Sequence, residues 1–237
     1  MIANILNVGE EGVYSVGAKL GLASQLIYTA FAGGWQFFAF STMKEKNQVR
    51  SNSMVFEYLG VISFAATGFI CALSYVLYKL LFPEEYLRGY IISPYLFLAP
   101  LLQMLFQVAG NQFLVVKKTY PNLFIMLSGA VVNVLLNLML IPKIGIEGAA
   151  VATLIGYAVC DIICVIVLCR MKLMEVSKRF LFVCAITLVY IPAWRFLFCD
   201  NVFIGLAAAA AVLCLFIFIY RNDIANLLHN IKRCDNE

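Results

Sequence analysis

The chain has 237 residues, of which 63% are hydrophobic and only 13% charged, where soluble domains carry about 25% charged residues. At a mean hydropathy of +0.92 there is too little polar surface to cover a water-soluble fold of this size, so a soluble globular domain is excluded. The net charge of +4 makes no nucleic-acid face, because the basic residues sit in short gaps between apolar runs, where they act as topology signals.

In chain order, residues 1–12 carry Glu10 and Glu11 without a basic segment, so they do not read as a secretory signal. A membrane-spanning helix needs about 20 apolar residues. Seven runs qualify: about 14–42, 54–82, 90–115, 121–141, 147–169, 179–199 and 202–220. They are too long, and too uniformly apolar, for the alternating strands of a membrane barrel. Helices are then the way to satisfy the backbone in lipid, and the expected fold is an all-α polytopic transmembrane bundle.

The first run contains Lys19. In the second, Glu57 and Lys79 stand 22 residues apart, roughly one bilayer thickness along a helix, which predicts interfacial anchors. Pro83 ends that run. Pro94 and Pro100 lie inside the third as candidate bends. Gln107, Asn111 and Gln112 cluster towards its end, where they would border an entrance. Pro121 opens the fourth run and Pro142 closes it, with Gly145 supplying a tight turn. Asn133 and Asn137, four apart on one helix face, would line a hydrophilic cavity or tie helices together. In the fifth run Gly148, Ala152 and Gly156 form a small-residue ridge that lets helix backbones approach closely.

Asp161 lies in the middle of the fifth run. Intramembrane carboxylates are costly and are functional candidates by default, so it is a candidate for proton or Na+ coupling. Its structural alternative is a carboxyl group hydrogen-bonded to a neighbouring helix. Lys19 and Arg195 fall at the same membrane face and would hold an anionic headgroup or snorkel to the interface. Pro192 lies within the sixth run.

Of the eight cysteines, Cys71, Cys160, Cys164, Cys169, Cys184, Cys199, Cys214 and Cys234, most lie inside apolar runs and pack as small hydrophobes. Cys160 and Cys164 share a helix face with no histidine near them, and His229 stands alone in the tail. No metal site, cofactor or catalytic acid–base pair is expected, which argues against an enzyme.

The gaps after the first, third, fifth and seventh runs hold 12 of the 17 basic residues: Lys44, Lys46, Arg50; Lys117, Lys118; Arg170, Lys172, Lys178, Arg179; and Arg221, Lys232, Arg233. The alternate gaps hold Arg88 beside Glu84 and Glu85, Lys143 beside Glu147, and Asp200. The positive-inside rule then places the N-terminus outside and the C-terminus in the cytoplasm.

The stretch Asn133–Gly156, NVLLNLMLIPKIGIEGAAVATLIG, resembles the polysaccharide flippase family, the Wzx-type exporters of the multidrug/oligosaccharidyl-lipid/polysaccharide superfamily. Further similarities follow the family's order: Glu10–Lys19, Ala30–Phe37 (with Phe38 near where the family often has Pro), Pro83–Tyr86 and Lys117–Thr119. Together they cover about residues 4–172. The resemblance implies the C-terminal half of a fourteen-helix flippase. Residues 1–12 would be the end of a preceding helix and an outer loop, 13–172 a five-helix lobe, 173–221 a final helix pair and 222–237 a cytoplasmic tail.

The activity so implied is translocation of an undecaprenyl-diphosphate-linked oligosaccharide across the cell membrane by alternating access. The expected partners are that substrate, membrane lipids and a missing N-terminal lobe. Two alternatives remain: a drug/cation antiporter of the same superfamily, and an integral membrane glycan-modifying enzyme.

Overall fold

The computed structural model describes residues 1–42, 47–199 and 201–226. Lys44, Lys46, Asp200, His229, Lys232, Arg233 and Cys234, which the sequence reading used, lie outside the described residues, as does most of the tail 222–237. Among the described residues the regular structure is entirely helical, as the apolar runs require. In order come α1 (Ile2–Ile5), α2 (Val8–Gly17), α3 (Lys19–Ser41), α4 (Gln48–Leu81), a 3-10 segment (Glu84–Ile91), α5 (Ser93–Val115), α6 (Tyr120–Ile144), α7 (Ile146–Arg170), α8 (Lys178–Ala193), a π-helical continuation (Trp194–Phe198) and α9 (Val202–Ile219).

Six helices, α4 to α9 with α8 taken through its π-helical continuation, are long and apolar enough to cross a membrane. The expected first run differs. It is divided at Ala18 into α2 and α3, and Lys19, Gln25 and Gln36 dilute the apolar character of α3, leaving six strongly apolar helices rather than seven. Yet α3 has 23 residues and runs parallel to α5. Ser93 Oγ donates to the Gly17 carbonyl at 2.8 Å, a Cβ on Gly21 would stand 2.7 Å from the Leu96 carbonyl oxygen, and Tyr28 shares a cavity wall with Gln103.

Two proline readings are refined. Pro94 sits in the first turn of α5 and bends nothing. Pro100 is inside α5. Pro142 does not end its helix, which runs on to Ile144 and stops at Gly145, φ +63° and ψ −141°, a region essentially restricted to glycine.

From α3 onwards consecutive long helices alternate in direction, so their ends form two layers. At one end Tyr78 donates to the Val16 carbonyl (2.8 Å), its hydroxyl 2.6 Å from Ser93 Oγ, and Arg195 meets Glu147. At the other, Asn122 donates to the Gly110 carbonyl (3.1 Å), the Glu175 amide donates to Ser53 Oγ (2.9 Å), and Glu57 accepts from Ser177 Oγ (2.6 Å) and the Tyr220 hydroxyl. Glu57 was expected to be an interfacial anchor; it is buried because three segments converge on it. Arg50, Lys117, Lys118, Arg170, Lys172, Lys178, Arg179 and Arg221 all fall at this second end.

The main core joins Trp35, Phe56, Phe97, Leu101, Leu105, Val108, Phe113, Cys164, Leu168 and Phe180 around α5. Leu123, Phe124, Leu127 and Leu135 of α6, with Phe203 and Phe218 of α9, are exposed, which suits faces solvated by lipid tails rather than water.

Candidate functional site: a polar groove at membrane depth

The α6–α7 hairpin is held close by small residues. A Cβ on Gly148 would stand 2.6 Å from the Leu140 carbonyl carbon, one on Gly156 3.0 Å from Asn133 Cβ, and one on Gly129 2.8 Å from the Gly156 carbonyl oxygen. Ala152 is fully buried. The expected ridge of Gly148, Ala152 and Gly156 thus faces α6, and Gly129, absent from that expectation, answers it from the other side.

While α7 packs on both α5 and α6, and α5 packs on α3, α3 and α6 share no comparable interface. The four helices therefore form an arc, with α5 and α7 as floor and α3 and α6 as walls. The arc encloses a groove of about 570 Å³, within the range of small-molecule sites, about 300–1,000 Å³.

Among the described residues its lining carries no charge, and amides and hydroxyls are set among apolar side chains that make up most of its surface. Gln103, Gln107 and Asn111 repeat every four residues along one face of α5. Asn122 and Asn133 of α6, Thr153 and Tyr157 of α7 and Tyr28 of α3 complete the polar set, with Phe106 and Met126 between them. Gln107 Oε1, Asn111 Nδ2 and Asn122 Oδ1 are buried and have no hydrogen-bond partner among the described residues. Asn133 Nδ2 reaches Thr153 Oγ1 at 3.4 Å. Tyr14 of α2 also hydrogen-bonds Thr153; burial pushes its phenol above the usual tyrosine range, and that bond opposes the rise.

Asn133 is in the groove, whereas Asn137 is behind it, donating to the Asn133 carbonyl (2.9 Å) and Oδ1 (3.0 Å) and so fixing that amide. Gln107 and Asn111 line the groove, and Gln112 is buried beside it. Asp161 does not line it. Cys160 does, and one residue further on, about 100° round the helix, the Asp161 carboxyl is buried near Cys184 of α8. Neither carboxyl oxygen has a hydrogen-bond partner among the described residues.

Lys19 is exposed, with its ammonium 5.5 Å from the centre of the Phe82 ring. Arg195 is engaged in a two-pronged contact with Glu147, Nε–Oε1 2.7 Å and Nη2–Oε2 2.9 Å, and Tyr95 donates to the same carboxylate at 3.2 Å. Of the five candidates read from sequence, Asn133 alone faces the groove.

The sequence reading missed Gln103, Asn122, Thr153, Tyr28 and Tyr157. The four-residue spacing of Gln103, Gln107 and Asn111 was the available signal for the first. No protein-family model matches the chain, and no curated protein or solved structure shows significant similarity to it.

Proposed function

We propose that this chain is one lobe of a membrane exporter that carries a lipid-linked oligosaccharide from the cytoplasmic to the outer face of a cell membrane. The observation that carries the reading is the groove: amides and hydroxyls gathered at membrane depth, inside helices whose outer faces are apolar. Buried polar groups without partners cost about 1–3 kcal/mol each, so such a stripe needs a compensating role. A polar path for a headgroup, with the lipid tail left in the bilayer, supplies one and requires no covalent chemistry. The resemblance of residues 4–172 to polysaccharide flippases supports the same reading.

On this proposal the open side of the arc, between α3 and α6, faces a second lobe, and substrate passes as the two lobes rock. The Lys/Arg-rich end is cytoplasmic and α3 starts at the outer face. A drug/cation antiporter is the weaker reading, because among the described residues no carboxylate lines the groove to hold a cation.

The test is reconstitution of the chain in vesicles, alone and with a matching N-terminal lobe, and measurement of a fluorescent polyprenyl-diphosphate oligosaccharide crossing the bilayer. Translocation only when both lobes are present is expected. Equal translocation by the chain alone overturns the two-lobe reading, and none with any lobe overturns the function.

A further inference from the structure

We infer that the groove binds an uncharged glycosyl unit, so that the part of the cargo it holds is neutral sugar and not the diphosphate or an acidic sugar. The inference rests on the proposed function and makes its substrate class narrower.

The first argument is charge. A diphosphate is held by Arg or Lys, by a metal ion or by a helix N-terminus. None of the described residues that line the groove is charged. The cation nearest in role, Arg195, is occupied by Glu147 at the end of the bundle, and Lys19 is exposed at that same end.

The second argument is the kind of capacity left over. Gln107 offers an unpartnered acceptor, Asn111 an unpartnered donor and Asn122 an unpartnered acceptor. Carboxamides combine donor and acceptor in one side chain, and hydroxyl groups both donate and accept. These atoms are buried; once the carboxamides turn towards the space of the groove, a polyol matches both donors and acceptors, whereas phosphate oxygens only accept and match only the donors. Asn111 is only 6% exposed and its unpartnered donor is buried, so a ligand reaches it by a turn of the carboxamide towards the groove.

The third argument is shape. Tyr28, Phe106 and Tyr157 bring aromatic rings to the same walls, and a pyranose presents apolar C–H faces between its equatorial hydroxyls. Rings beside amides suit that alternation.

The experiment uses the full chain in lipid nanodiscs and reads binding by saturation-transfer NMR. Four probes are compared: a neutral trisaccharide (maltotriose), glucuronic acid, inorganic pyrophosphate and tetraphenylphosphonium. Saturable binding of maltotriose alone is expected, weakened about tenfold in Gln107→Leu and in Asn111→Leu, the loss of one or two hydrogen bonds.

Gln103→Leu, at a partly exposed position on the same stripe, serves as a second variant if either of these fails to fold, and thermal melting confirms folding of each. Preferred binding of pyrophosphate, glucuronate or the phosphonium cation overturns the inference. So does maltotriose binding that all three variants leave unchanged, or no binding by any probe, which would make the groove a water-filled packing defect. Failure of the functional reading is separate: maltotriose binding with no vesicle translocation in the two-lobe assay removes the exporter and leaves the sugar site standing.

Discussion

The polar side chains of this protein have divergent fates at the scale of single residues. Glu147 and Arg195 are only 20% and 25% exposed, and each satisfies the other. Removing one partner strands a charge, a loss of roughly 3 kcal/mol. Arg195→Ala should therefore lower the melting temperature clearly, and Arg195→Ala with Glu147→Ala should recover part of it. A double mutant no better than the single would show that the two groups are not coupled.

Asp161 is the opposite case: a buried carboxyl group with no partner among the described residues gives the fold nothing that a neutral group of the same shape would not. Asp161→Asn is expected to leave the melting temperature unchanged or raise it, and a marked drop would mean that the carboxyl has a stabilising partner. From the sequence, Asp161 and Arg195 were both candidate cavity residues. Nothing in the chain's order announced that Glu147, 48 residues away, would claim the guanidinium, because such pairings are set by helix packing and not by local spacing.

At the scale of elements, the sequence was most legible where a run is uniformly apolar, and α4, α6, α7 and α9 follow their runs closely. It was least legible at α3, where buried packing along α5 lets Gln25 and Gln36 stay in a long helix. The small-residue ridge of α7 could be read from spacing alone, but its counterpart Gly129 could not, since a single glycine inside a helix carries no periodic signal.

That glycine yields a prediction. A methyl group there would collide with Cys160 Sγ and the Gly156 carbonyl. Gly129→Ala should push α6 off α7 and cost about 1–3 kcal/mol by overpacking, seen as a lower melting temperature. Gly33→Ala, with nothing within 4 Å of the new methyl, is the control and should be neutral or slightly stabilising. Equal effects at the two sites would refute the close-packed hairpin.

For the whole molecule, the alternation of basic and non-basic gaps anticipated the two-layered bundle, because each gap marks one helix end. The groove was only half visible, since one part of its lining is an i, i+4, i+8 stripe on α5 and the rest comes from residues scattered over α3, α6 and α7.

The arc formed by α3, α5, α7 and α6 has a consequence for the surrounding bilayer. With its mouth between α3 and α6 turned towards acyl chains, a lone copy would expose its amides to a solvent that offers no hydrogen bonds. Such a copy should either draw a wedge of water into the membrane or close mouth to mouth with another chain. Cysteines placed at Leu26 and Met126 distinguish these fates: hydration makes Met126→Cys reactive to a water-soluble maleimide, while pairing makes it cross-link. The exposed Leu26, facing lipid, should do neither. A Met126→Cys variant as inert as Leu26→Cys would mean that the groove is sealed within a single chain.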